Sequence, residues 1–202
     1  MGNLYTIGHT NHTQEFFLEL LNAYHIDYLV DVRSIPFSKY TAQFNKEDIS
    51  KFLEKNNIHY VHMGSYFGAR QEDPSLYTND LFDFEKVRDS KHFNIGLNNI
   101  IKGLNSGHNI ALMCLEKEPI DCHRAILVAR GFELNGIEVN HILPDKSLKS
   151  QNALNLELLN WYDNIRGIDR HQISLFETTE ISEDELLKQA YRERNKKIGY
   201  RR

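Results

Sequence analysis

Over its first 145 residues the chain alternates short apolar runs with stretches of helical period, and this alternation constrains the fold more than any other feature. Apolar runs at 4–8, 27–31, 58–63, 109–113 and 138–142 read as strands. Helical spacing at 14–24, 46–56, 81–90, 93–105 and 122–134 reads as helices, with Asn45 and Asp121 placed where N-caps belong. Strands separated by helices become neighbours through crossovers, so the pattern predicts βαβ units. The expected fold is a three-layer α/β sandwich, Rossmann or flavodoxin-like, with a mostly parallel central sheet of about five strands. Residues 1–145 form that domain and residues 146–202 a C-terminal helical extension: 152–166 is helical in pattern, and Ser182 followed by Glu185 is a capping box that opens a last helix.

No apolar run approaches the ~20 residues needed to span a bilayer, and the N-terminus has no signal-peptide pattern. Two cysteines in a chain of this length do not make a disulfide framework. A cytoplasmic protein with no membrane partner is the expectation. The net charge of −4 is unevenly spread, because from Leu187 onward seven Lys and Arg face a single acid, Glu193. A basic end on an acidic body is a candidate nucleic-acid contact, although a solvated helix face has the same composition.

In open α/β sheets ligands bind beyond the carboxyl ends of the strands. Those ends deliver His9 after Gly8, then Asp31 and Arg33, His62, Cys114 and Glu116, and His141. Two loops after strands, 32–45 and 64–80, are longer than such folds usually need, which marks them as functional. Gly8 lets a ligand or another backbone approach closely. Asp31 and Arg33 form either an internal ion pair or an anion site in which Asp31 orients Arg33.

Residues 114–124, Cys-Leu-Glu-Lys-Glu-Pro-Ile-Asp-Cys-His-Arg, hold both cysteines where a strand hands over to a helix. A thiol, an imidazole and a guanidinium on a first helical turn favour bound negative charge and a lowered thiol pKa. Three chemistries are open. Cys122 or Cys114 can be a nucleophile beside His123 and Arg124. The rhodanese and Cys-phosphatase loop comes to mind, but six positions after Cys114 lies Ile120 rather than arginine. Cys114, Cys122, His123 and a fourth ligand such as His9 can hold zinc, but the spacing matches no common zinc site; no cofactor is expected, with zinc left open. Finally, Glu116 or His123 can do acid–base work while the cysteines merely pack. The expected catalytic set is Cys114, Glu116, Cys122, His123, His9 and Asp31, with Arg33 and Arg124 as anion ligands.

Four segments sharpen this reading: Thr6-Ile7-Gly8-His9-Thr10-Asn11; Val30 to Pro36 with Gln43-Phe44-Asn45; Tyr60-Val61-His62; and Cys114-x-Glu116-x5-Cys122-His123-Arg124. Together, and in this order over residues 4–142, they resemble the family catalogued as domain of unknown function 488. The resemblance implies a cytoplasmic α/β domain with a polar pocket built from these positions, and assigns no reaction. Tyr66-Phe67-Gly68 departs from it, since members tend to carry a leucine and paired glycines there.

In the tail, Gln172-Ile173-Ser174-Leu175-Phe176 resembles the peptide by which bacterial polymerases and repair proteins dock on the DNA sliding clamp. Leu175 and Phe176 would fill an apolar pocket and Gln172 bond its rim; packing of the same side chains on the domain is the alternative. The leading expectation is a protein acting by hydrolysis or group transfer on nucleic acid or a nucleotide-derived anion. A non-catalytic DNA or partner adaptor and a small-molecule thiol enzyme are the rivals.

Overall fold

The computed structural model describes residues 1–166 and 182–202. The elements run β1 (Leu4–Gly8), α1 (Gln14–Ala23), β2 (Tyr28–Asp31), α2 (Lys46–Glu54), β3 (His59–His62), α3 (Gly64–Phe67), β4 (Tyr77–Thr78), β5 (Leu81–Phe82), α4 (Phe84–Asp89), α5 (Lys91–Asn105) and β6 (Ile110–Cys114). A π-helical segment, Arg124–Ala129, then continues into α6 (Arg130–Leu134), followed by β7 (Val139–Ile142), β8 (Leu148–Ser150), α7 (Gln151–Arg166) and α8 (Glu183–Ile198).

The central sheet has the order β3-β2-β6-β1-β7-β8. Five strands are parallel and β8 is antiparallel to β7. Alternate side chains go to opposite faces, as a pleated strand requires. Leu4, Val30, Ile110, Leu112 and Val139 face a layer built by α4 to α8, whereas Tyr5, Ile7, Leu29, Ala111 and Met113 face Phe17, Leu20 and Leu21 of α1 and Ile49 and Leu53 of α2. Because both faces are covered, β1 and β6 are buried along their whole length, and β6 reads as an unbroken apolar run. Each fully buried Leu, Ile or Phe contributes about 1.5–3 kcal/mol, so the layers are held chiefly by this burial.

The expected three-layer sandwich is therefore present, with three corrections of detail. The sheet has six strands, because residues 148–150, expected in the helical extension, form an edge strand behind a turn in which Lys146 takes φ 67° and Ser147 N–H donates to Asp145 Oδ1 at 3.0 Å. Leu81 and Phe82 are not helical. Asn79 (φ 48°) and Asp80 (φ 62°) make a two-residue left-handed turn that closes the β4–β5 hairpin, and α4 starts after it, where the Asp83 carboxylate accepts the N–H groups of Glu85 and Lys86. Asp121 does not cap the helix that follows. It ends a 3₁₀ turn, and its carboxylate pairs with Arg194 of α8.

Ser182 caps α8 as expected, its hydroxyl accepting from Glu185 N–H. The expected boundary at residue 145 falls between two strands of one sheet. Leu154, Leu158 and Leu159 of α7 and Ala190 and Tyr191 of α8 join the same apolar layer as the strands. Part of the basic end is spent on the body of the protein and part on α8 itself. Lys188 pairs with Glu185, Arg192 with Glu85 and Glu185, Arg194 with Asp121, and Lys196 with Glu193. Arg202 lies over the Tyr77 ring. The clamp-like peptide with Gln172, Leu175 and Phe176 lies outside the described residues. No helix among them is long and apolar enough to cross a membrane.

Candidate functional site

β6 lies between β2 and β1, in register so that Asp31 pairs with Met113 and Gly8 with Cys114. Three adjacent strand ends thus carry His9, Asp31, Arg33, Cys114 and Glu116, and the helix start after β6 adds Cys122, His123 and Arg124. Because of the pleat they form two networks on opposite faces of the sheet.

On the α1–α2 side, Asp31 is fully buried. Its carboxylate accepts from Arg33 Nε at 2.9 Å, Arg33 Nη2 at 2.6 Å, Arg33 backbone N–H at 3.0 Å and the Tyr60 hydroxyl at 2.7 Å. Burial and the Asp31 charge push the Tyr60 phenol up. Burial alone would lower the Arg33 pKa, but bonding to Asp31 more than offsets it, and Arg33 stays charged. Arg33 also donates from Nη2 to Phe44 O at 2.7 Å, and Nη1 stands 3.1 Å from His9 Nε2. His9 is stacked on Phe44 with ring centroids 4.4 Å apart. Its Nδ1 lies 2.9 Å from Thr10 O. An acceptor on one side and an arginine on the other fix the tautomer: Nδ1 carries the proton and Nε2 accepts. Burial, then the Arg33 charge, lower the His9 pKa to about 4.

On the other side, Cys114 and Cys122 are both buried and both reach one carboxylate, with Sγ atoms 3.0 Å and 2.9 Å from Glu116 Oε2. His123 Nδ1 stands 3.6 Å from Cys114 Sγ, and its Nε2–H donates to Val32 O at 3.1 Å. Burial and the neighbouring Cys122 and Glu116 push the Cys114 thiol up. Burial would raise Cys122 too, but a bond from Cys114 and the charges of Arg124 and His123 bring it below the ordinary thiol range. Burial, with Cys122 beside it, raises Glu116. Burial would lower His123, but its bond to Cys122 and the charges of Cys122 and Glu116 together outweigh it and raise the imidazole.

Arg124, a fully buried cation, underlies this network. It donates from Nη1 to Glu116 O at 2.6 Å, from Nη2 to Lys117 O at 3.0 Å and from Nε to Thr6 Oγ1 at 3.3 Å. Thr6 Oγ1 in turn lies 2.8 Å from His141 Nδ1. Arg33 and Arg124, expected as anion ligands, thus spend donors on all three guanidinium nitrogens inside the protein. For Asp31 and Arg33, the internal ion pair is the reading the geometry has. The helix-start donors are also committed: the N–H groups of Ala125 and Ile126 donate to Cys122 O, and that of Arg124 to Cys122 Sγ. That segment begins as a π-helix, a form rare in general and frequent at functional sites. Gly8 does admit a close backbone. A Cβ there would stand 2.0 Å from Glu116 O.

The second network opens into a cleft of about 380 Å³ whose lining includes Cys114, Glu116 and His123. Ile35 and Phe37 from the loop after β2, Arg70 from the loop after α3, Leu115, Ile198 at the end of α8 and Tyr200 just beyond it form the walls. Phe37 is 68% exposed and Ile35 61%, which is unusual for such side chains, and the Arg70 guanidinium lies 4.9 Å from the Tyr200 ring centroid. Phe37 and Arg70 sit in the two long loops flagged by length alone. Nothing in the tail sequence pointed to Tyr200.

No curated protein and no solved structure matches the chain. The family described as "Domain of unknown function DUF488" matches residues 13–130, more than half of the chain, from α1 through the π-helical segment and including every member of both networks except Thr6, His9, Thr10 and His141; the chain belongs to that family.

Proposed function

We propose that the protein acts on a nucleic acid or a nucleotide-derived anion held in the cleft over Cys114, Glu116 and His123. One observation carries the reading: an exposed phenylalanine and a guanidinium stacked on tyrosine face a thiol, imidazole and carboxylate cluster across a single cleft. Exposed aromatic rings beside arginine suit stacked bases and backbone phosphates. Arg70, rather than the internally bonded Arg33 and Arg124, is the phosphate contact. The buried cluster supplies proton transfer and group activation next to the bound unit, which supports hydrolysis or group transfer. In the same reading, residues 172–176 dock on a bacterial sliding clamp through Leu175 and Phe176, bringing the cleft to DNA.

The test is fluorescence anisotropy with labelled single-stranded oligothymidylate and, in competition, mononucleotides. Saturable binding should weaken as salt rises and fall by about fivefold or more in Phe37→Ala, since stacking on one aromatic side chain is worth about 1–3 kcal/mol per base. Absence of binding by either ligand up to about 1 mM sinks the reading, because nothing weaker would hold a substrate. Sliding-clamp binding, lost in Leu175→Ala/Phe176→Ala, checks the partner separately.

A further inference from the structure

Cys114 Sγ, Cys122 Sγ and a ring nitrogen of His123 all lie within 4.8 Å of one another. Three details of the cluster go beyond proximity. The His123 Nε2–H is taken by the Val32 carbonyl at 3.1 Å, which leaves the Nδ1 lone pair facing the sulfurs. A backbone carbonyl on the far nitrogen is the usual way a metal-binding histidine is oriented. The Cys114 Sγ to His123 Nδ1 separation is 3.6 Å. Two ligands of one tetrahedral zinc, at about 2.3 Å for sulfur and about 2.05 Å for nitrogen, stand about 3.5 Å apart. Finally, Arg124 N–H donates to Cys122 Sγ at 3.4 Å, a contact that supports negative charge on that sulfur.

The order of the residues adds a role for the carboxylate. Glu116 follows the first sulfur by two positions, touches both sulfurs, and lines the cleft together with Cys114 and His123, while Cys122 lies behind them. A ligand followed two residues later by a glutamate that is not itself a ligand, with further ligands downstream, is how zinc deaminases place an acid–base group beside a metal-bound water.

We propose that Cys114 Sγ, Cys122 Sγ and His123 Nδ1 bind one zinc ion whose fourth position faces the cleft beside Glu116. Binding converts two thiols into two zinc-bound thiolates and releases two protons, with no change of oxidation state. A water on the fourth position gives its proton to the Glu116 carboxylate and becomes the hydroxide nucleophile; Glu116 then passes that proton to the leaving group. Three protein ligands and one open position are the arrangement of hydrolytic rather than structural zinc. Metal binding itself does not depend on the nucleotide reading.

The experiment uses the full chain, stripped with chelator under reducing conditions and titrated with Co²⁺. Expected is saturation at one ion per chain, with thiolate-to-cobalt charge transfer in the near ultraviolet, intense tetrahedral bands in the visible, and displacement by zinc. Cys122→Ser and His123→Ala, checked for folding by circular dichroism, should bind at least about tenfold more weakly. Glu116→Gln should keep the stoichiometry and the tetrahedral bands. A wild-type titration without saturable charge transfer overturns the proposal whatever the variants do, and loss of the metal in Glu116→Gln overturns the open fourth position. Oligothymidylate binding by the metal-free chain is read separately. Cobalt saturation without it sinks only the nucleotide reading, and the reverse sinks only the metal.

Discussion

Asp31 and Arg33, two residues apart at the end of β2, close a buried ion pair on themselves, with Arg33 Nη2 2.6 Å from Asp31 Oδ2 and the Arg33 backbone N–H on the same carboxylate. The pair lies at the exit of β2, where the loop carrying Ile35 and Phe37 to the cleft begins. Removing one partner leaves the other charge buried. Asp31→Ala should cost about 3–5 kcal/mol of stability. In urea unfolding, Asp31→Ala/Arg33→Ala should cost clearly less than the sum of the two single variants. Additive effects would mean that the pair is not coupled.

His9 titrates at about 4 and His141 at about 3, both below the usual 6.5 and both chiefly because they are buried. Both are neutral in the fold, and the unfolded chain takes up their protons first as the pH falls below 6.5. Their contribution is therefore complete above pH 6.5 and is lost as pH falls, through 4 for His9 and 3 for His141. Between pH 6 and 5 each histidine should steepen the loss by about 1.4 kcal/mol per pH unit at most. Urea midpoints should drop over that interval, and His9→Gln or His141→Asn should flatten the drop. An unchanged slope in both variants would contradict the assignment.

Gly8 is a packing residue. A Cβ there meets Glu116 O at 2.0 Å and Arg124 Nη2 at 3.2 Å, so Gly8→Ala has to push residues 115–117 outward. A loss of about 1–3 kcal/mol is expected from this overpacking. Because Glu116 then leaves the sulfurs, Cys114 and Cys122, only 3% and 1% exposed in the native fold, should react faster with a disulfide reagent. Slow native-like thiol kinetics in Gly8→Ala would show that the segment does not depend on this contact.

Asn195 ties α8 to the hairpin. Its Oδ1 accepts from Phe84 N–H at 2.9 Å, its Nδ2 donates to Phe82 O at 3.0 Å, and Phe82 N–H donates to Tyr200 O at 2.9 Å. Asn195→Ala orphans one buried donor and one buried acceptor, each worth about 1–3 kcal/mol. Hydrogen exchange should accelerate at residues 81–84 and 195–201 together. Acceleration confined to one of the two segments would mean that Asn195 does not couple them.

Arg70 and Phe37 should separate by salt. A phosphate contact releases counterions and a stacking contact does not, so Arg70→Ala should shallow the dependence of oligothymidylate affinity on salt while Phe37→Ala lowers affinity at every salt concentration. Equal slopes in wild type and Arg70→Ala would remove Arg70 from the backbone path.

Most local elements were determined by the sequence itself, because apolar period and capping chemistry are short-range, whereas β8 and the β4–β5 hairpin were not. The five parallel strands lie where the apolar runs lie, Ser182 caps α8, and Gly8 marks a close approach. Loop length alone drew attention to the segments that carry Phe37 and Arg70. What sequence could not decide was the place of β6. Strand order depends on crossovers tens of residues long, and no periodicity records it, yet insertion of β6 between β2 and β1 is what sets Cys114 beside Gly8. The direction of the charged side chains was equally hidden. Arg33 and Arg124 carry the same group at strand and helix ends as any phosphate ligand would, and only packing turned them onto Asp31 and onto the carbonyls of residues 116 and 117. The pleat then divided one list of polar residues between two faces, leaving Cys114, Glu116 and His123 at the cleft and His9 and Asp31 behind the sheet.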